Sequence, residues 1–138
     1  MEKTLVLIKP KAVLRGLTGH IIARYESKGL KLAALKMVDA TKEQLERHYE
    51  EHQGKPFYES LLESMLSGPI VALMLEGNQA VSAARLINGA TNPIEAAPGS
   101  IRGDYGLEIE HNIVHGADVL ESAQREISIW FPEKEDNE

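Results

Sequence analysis

The chain has no cysteine among its 138 residues. Disulfides, thiolate nucleophiles and cysteine-held metals are excluded, and nothing calls for an oxidising compartment. Covalent catalysis would need another residue type. Long apolar runs are also missing. The opening MEKTLVLIKP holds only Leu5 to Ile8 before Lys9 and Pro10, too short for the apolar core of a secretion signal, and no segment approaches a membrane span. The expected location is the cytoplasm, with no membrane partner. Positive charge is scarce: 15 basic residues face 21 acidic ones, a net charge of −6. Such a field repels a nucleic-acid backbone, so no nucleic-acid partner is expected. Small anionic substrates stay compatible, because a pocket can gather several basic side chains inside an acidic surface. Neither G-x-x-x-x-G-K-[ST] nor a G-x-G-x-x-G after a strand occurs, so a bound phosphate must be held by side chains.

The length suits a single domain over residues 1–138, and the 43% of hydrophobic residues suffices for one core. Thr4 to Ile8 reads as a short buried strand ending at Lys9, and Ile21, Ile22 and Tyr25 recur at helical spacing up to Gly29. LKLAALKMV resembles a second strand. Thr41 with Gln44 forms a capping box that predicts a helix through about His52. Phe57, Leu61, Leu62 and Met65 continue with helical period, PIVALMLEG is the clearest buried strand, and Asn78 is placed to cap a helix to about Ile87. Asn88 to Tyr105 shows no sustained period and reads as a long structureless loop, a kind that is usually functional or disordered. Ile109 to Val114 suggests a last strand. Asp118 with Glu121 forms a second capping pattern, followed by the stripe Leu120, Ala123, Ile127 and Trp130. The acidic tail PEKEDNE reads as a frayed, solvated end. Strands interleaved with helices predict an α/β or α+β sandwich.

Candidate phosphate holders are Lys9 at a strand end, Arg85 on a helix, and Thr91 with Arg102 in the long loop, since arginine forks match phosphate oxygens. Taken singly, each reads as a solvated surface charge; only convergence would give them meaning. His48 and His52 stand four apart on a predicted helix, a zinc-sharing spacing, but Tyr49 occupies the place of a metalloprotease glutamate and a solvated helix face is the plainer expectation. His111 and His115 flank the last predicted strand on one face, a second weak metal pair. His115 is followed by Gly116, Ala117 and Asp118 and then a helix start, where free N–H groups favour an anion. A neutral imidazole held by a partner at its second nitrogen is a competent nucleophile, and Glu126 is placed to be that partner. A packed structural histidine and a nucleophile both stay open at this point.

NIVHGAD (Asn112 to Asp118), together with TLVLIKP, His48-Tyr49, Lys55 to Phe57, Ser67 to Pro69, GATNP (Gly89 to Pro93), PGSIRGD (Pro98 to Asp104) and ESAQREI (Glu121 to Ile127), resembles the nucleoside diphosphate kinase family in order across almost the whole chain. The resemblance implies a ferredoxin-like βαββαβ sandwich, a four-stranded antiparallel sheet covered by helices on one face. It also implies a homo-oligomer built from a common dimer, with the long loop at subunit contacts. The implied reaction moves the γ-phosphoryl group of a nucleoside triphosphate to a nucleoside diphosphate in ping-pong fashion through a phosphohistidine, with Mg²⁺ carried by the nucleotide phosphates. In that scheme His115 is the nucleophile through Nδ1 and Glu126 orients its other nitrogen. Lys9 and Asn112 fall near the ribose hydroxyls, with Tyr49 lining the same site. Arg85, Thr91 and Arg102 surround the phosphates, and Phe57 stacks on the base.

The chain departs from the family pattern at Lys11, where the family more often has Asp or Asn; Ala12 then fits the Gly or Ala that follows. It departs again at Ala117, where many members carry serine. Little sequence follows Trp130-Phe131, which leaves dimer, tetramer and hexamer open. The alternative is a non-catalytic nucleotide-binding module of the same fold, whose expected mark is a replaced nucleophile; here His115 stands in place. A metal-binding protein using the paired histidines is the rival from another class.

Overall fold

In the computed structural model, which describes residues 1–134, the apolar run Leu5–Ile8 lies in the central strand β1 (Glu2–Ile8). Its neighbours are β3 (Ile70–Gly77) and β4 (Val114–Gly116), and β2 (Lys31–Val38) lies outside β3, giving the order β2-β3-β1-β4 with every pairing antiparallel. The connections hold α1 (Pro10–Leu14), α2 (Thr18–Lys28), α3 (Lys42–His48), α4 (Tyr58–Leu66), α5 (Ala80–Asn88), α6 (Ile101–Tyr105) and α7 (Leu120–Trp130). This is the expected ferredoxin-like α+β sandwich, with α3 and α4 between β2 and β3.

One expectation is corrected: helices cover the sheet on both faces. Leu5 and Leu7 of β1 join Leu45, Leu62, Met65 and Trp130 from α3, α4 and α7, while Val6 and Ile8 join Ile21, Tyr25, Ala80 and Ala84 from α2 and α5. Side chains alternate across a strand, so double-sided burial demands an unbroken apolar run, which is why β1 and β3 lack polar alternation. Edge strand β2 carries the contrast, with Leu35 and Met37 more than half exposed.

Local signals mostly act as read. The Thr41 side chain accepts from the Gln44 N–H and Gln44 answers to the Thr41 N–H, closing the capping box of α3. Gly29 ends α2 in the left-handed region at φ 111°, a conformation that costs glycine little. The helix after Thr41 stops at His48 rather than running to His52, which lies in a separate 3-10 turn, Glu50–His52.

Other readings are corrected. Asn78 does not cap α5; Gln79 takes the cap position at φ 52°, and Glu2 of β1 accepts from the Val81 N–H at 2.8 Å. The loop after Asn88 contains a 3-10 turn at Pro93–Glu95 and then α6, capped by Ser100 accepting from Gly103. Ile109–His111 is a 3-10 turn, so the last strand begins only at Val114. His111 and His115 therefore do not share a strand face. α7 starts one residue later than the Asp118 pattern requires, with Val119 at the cap position and Asp118 turned to the Ser122 hydroxyl. Of its stripe, Ala123, Ile127 and Trp130 are buried but Leu120 is exposed. In the acidic tail Pro132–Lys134 forms a 3-10 turn with Glu133 3.0 Å from Lys36, while positions 135–138 lie outside the described residues.

Replacing Thr41 by alanine removes one half of the capping box away from the sheet. It is expected to lower unfolding free energy by about 1 kcal/mol, read as a shift in urea midpoint at constant slope.

Candidate active site

β4 is short, yet its register fixes the site. Leu7 of β1 pairs with His115, Ile8 with Val114, and the Lys9 N–H reaches the Ile113 carbonyl at 3.0 Å. Between Asn112 and Val114, Ile113 is held at φ 75°. A β-branched side chain is strained there, and strain of this kind is held in place only by firm surroundings. Gly116 has no room for more: a Cβ would come within 2.5 Å of the Asn88 side-chain nitrogen.

These elements open a cleft of about 820 Å³, lined among others by Lys9, Tyr49, Phe57, Arg85, Thr91, Arg102, Asn112 and His115. Eight of the nine side chains singled out from the sequence thus meet on one wall system. The ninth, Glu126, lies beneath His115, its Oε1 2.8 Å from the ring Nε2. The ring's partner on α7 is this carboxylate in the second turn, not the helix N-terminus. With Nε2–H donating to the carboxylate, the lone pair of the neutral ring resides on Nδ1. Burial, then the charges of Lys9 and Arg102, hold His115 well below the ordinary histidine range. Burial pushes the Glu126 carboxyl up to about 7, with Asp118 adding to the rise and His48 and Arg125 opposing it.

Arg102 is not a solvated charge. It is buried, and its guanidinium donates to three backbone carbonyls: Nε to Asn112 at 3.0 Å, Nη1 to Gly89 and Nη2 to Val114, both at 2.7 Å. Lys9 Nζ donates to Asn112 Oδ1 at 2.7 Å, and the Asn112 amide donates in turn to the Thr91 carbonyl at 3.1 Å. Neither cation is within ion-pair distance of a carboxylate among the described residues. Burial, then the Arg102 charge, lowers Lys9 to about 8. Buried cations without an anion are costly, so the cleft is poised to receive one. Arg85 and Thr91 are exposed at its mouth, and Phe57, half exposed, stands there with its ring edge-on to His52.

Sequence reasoning missed His48. Rather than a solvated helix face it is 3% exposed, its Nδ1 accepts from the Trp130 indole at 3.0 Å, and its ring meets that of His115 edge-on at 4.3 Å. Burial, then His115, lowers its pKa well below the ordinary range, so it stays neutral. The helical stripe ending at Trp130 held the only signal, since a buried indole needs an acceptor. Tyr49 is buried beside it with an unpartnered hydroxyl, and burial followed by Glu126 keeps that phenol protonated. His48 and His52 do not share a helix face, because the helix ends between them.

A neutral nucleophilic nitrogen, a carboxylate behind it and uncompensated cations in front can together take a phosphoryl group from a polyanion. Comparisons with known proteins agree. A family model described as nucleoside diphosphate kinase matches residues 2–136. A nucleoside diphosphate kinase of Saccharopolyspora erythraea is 58% identical over 133 residues, covering 96% of this chain and 98% of that one. One of Schizosaccharomyces pombe is 52% identical, covering 97% and 89%. The crystal structure of the apo enzyme from Encephalitozoon cuniculi superposes with TM-score 0.95 at 45% identity, covering 97% of this chain and 91% of its own.

Burial favours the neutral form of both partners in the His115–Glu126 pair, so acidification should protonate Glu126 first. As the pH falls through about 7 the carboxyl carbon of Glu126 should shift in ¹³C NMR. The His115 nitrogens should keep the pattern of a neutral ring, its proton moving from Nε2 toward Nδ1 as the Glu126 hydroxyl comes to donate to Nε2. An imidazolium signal for His115 in that window would contradict the assignment.

Proposed function

The chain belongs to the nucleoside diphosphate kinase family, and we propose that it carries the γ-phosphoryl group from a nucleoside triphosphate to a nucleoside diphosphate on Nδ1 of His115. Membership makes it a phosphotransferase. The observation that supports the route is that His115 lines the cleft while its Nε2 is tied to Glu126 at 2.8 Å, which leaves Nδ1 as the nitrogen with the lone pair. In the first half-reaction the Nδ1 lone pair attacks the γ-phosphorus, the bond to the leaving diphosphate breaks and a P–N bond forms. In the second, a β-phosphate oxygen of the acceptor attacks the same phosphorus and releases the neutral ring. Glu126 accepts the Nε2–H throughout and offsets the charge that the phosphorylated ring acquires.

Arg102 and Arg85 face the phosphate oxygens, Thr91 adds its hydroxyl, and Lys9, Asn112 and Tyr49 take the sugar side. Their value lies in fixed charge rather than in proton transfer, since phosphoryl transfer asks mainly for positioning and neutralisation. Phe57 offers the base a face and no hydrogen bonds, which suits a site with little base preference. Kinases of this kind use a divalent metal, which we take to be Mg²⁺. Among the described lining residues only Glu110 is a carboxylate, so the donor set suits an ion that arrives on the nucleotide's own phosphates. Bound there, it neutralises charge on the transferring group.

We assign the chain to one domain and to a dimer-based homo-oligomer in the cytoplasm. The exposed Leu35 and Met37 on edge strand β2 support the association. No helix of the described residues is long and apolar enough to cross a membrane.

His115→Ala should fold yet take up no phosphate from ATP and Mg²⁺; intact mass after an alkaline quench checks this, and retained labelling would sink the assignment. Arg102→Ala should cost transition-state stabilisation of about 2–4 kcal/mol in phosphorylation rate, and a near-unchanged rate would place this arginine outside the reaction.

The rate should form a bell against pH. Below about 7 protonated Glu126 gains an O–H that can donate to Nε2, which favours the tautomer with a blocked Nδ1. Above about 8 Lys9 loses its charge. Glu126→Gln should lower the rate and abolish the acid limb alone.

A further inference from the structure

Asn88 is the last residue of α5 and is 1% exposed, yet it lines the cleft beside Gly89 and Gly116, one helical turn after Arg85. Its Oδ1 accepts from the hydroxyl of Tyr25, a fully buried residue of α2 set in the apolar cluster of Val6, Ile8 and Ile21. The amide nitrogen Nδ2 has no acceptor among the described residues. It lies 2.5 Å from where a Cβ on Gly116 would stand, directly after His115 in sequence. We propose that Asn88 is a further nucleotide-binding residue whose Nδ2–H donates to an oxygen of the β-phosphate, and that Tyr25 is the residue that positions it. The β-phosphate assignment rests on the kinase reading given above.

The orientation of the amide follows from its partner. Burial pushes the Tyr25 phenol up, with Arg102 opposing, so the hydroxyl keeps its proton and must find an acceptor. Only Oδ1 can serve, and that turns Nδ2 to the other side, toward Gly116. The reverse orientation would leave the Tyr25 proton without an acceptor and turn a carbonyl oxygen toward the incoming anion. A buried donor left unpaired is costly. The phosphate chain of a nucleotide supplies the acceptor that the empty site lacks.

The sheet decides which phosphate is reached. Gly116 pairs with Val6 and His115 with Leu7, and successive side chains point to opposite faces. Leu7 belongs to the face covered by α3 and α7, Val6 to the face covered by α2 and α5. Asn88 therefore approaches β4 from the face opposite the His115 ring and meets the phosphate next to the one being transferred, on the side of Arg85. A contact of this kind is made in the ground state and the transition state alike, so it sets affinity rather than the rate at saturation.

The test is titration of the unphosphorylated full chain with ADP and with AMP at fixed excess Mg²⁺, since only ADP carries the β-phosphate. The double variant Tyr25→Phe with Asn88→Leu makes both partners apolar at similar volume. It should weaken ADP about tenfold, as expected for a hydrogen bond to a charged group, and leave AMP unchanged. The KM for ATP in phosphoenzyme formation should rise by the same factor with little change in the rate at saturation. Tyr25→Phe alone, which frees the amide to turn, should give a smaller loss of the same kind. Unchanged ADP affinity in both variants, or equal losses for ADP and AMP, overturns the contact while leaving the kinase reading intact. Absence of ADP binding to wild type overturns the kinase reading and the contact with it.

Discussion

Everything at the cleft hangs on one buried cation. Arg102 ties the carbonyl of Gly89 after α5, that of Asn112 before the strained turn, and that of Val114 at the start of β4. Two otherwise separate segments, the end of α5 and the turn that enters β4, are fixed to one planar group. A lysine cannot replace this, because only the guanidinium spreads donors in a rigid fork. The same group lacks an anionic partner, so the interaction that organises the loop also leaves a charge waiting for a polyanion. Loss of Arg102 would remove the three ties and the buried charge together.

Around that anchor the electrostatics are arranged by burial. Lys9 and His115 are both held toward their neutral forms, first by burial and then by neighbouring cations. Glu126 is also shifted toward its neutral form, by burial. Filling the cleft with phosphate reverses the balance for the cations and leaves Glu126 to answer the ring. The geometry is thus tuned to the loaded state more than to the empty one.

Much of this was readable in the residues. Unbroken apolar runs marked β1 and β3, and Thr41 with Gln44 marked a helix start, because these signals depend on local chemistry alone. The family signature around Asn112 to Asp118 supplied the site members, which composition and spacing left ambiguous. What stayed hidden was non-local. The Asn78 cap lost to the Glu2 carboxylate of β1, 79 positions from the Val81 N–H that it accepts. Ile113 at positive φ violates the rule by which strand ends are guessed. His48 looked like one of a helical pair, and only packing against Trp130 and His115 gave it a place. Both-sided burial of the sheet was implicit in β1, yet the family expectation of one covered face obscured it.

The position of β1 also sets a problem of order during synthesis. It is made first, and it lies in the middle of the sheet between β3 and β4, the last two strands to be made. Its Leu5–Ile8 run therefore waits with both edges unpaired while most of the chain emerges. Lys9 and Asn112, bonded at 2.7 Å, are 103 positions apart, and such distant pairings form slowly. An apolar strand with open edges invites pairing with other nascent chains. The cell's burden in producing this protein is thus to shield seven residues at the beginning until the final strand arrives.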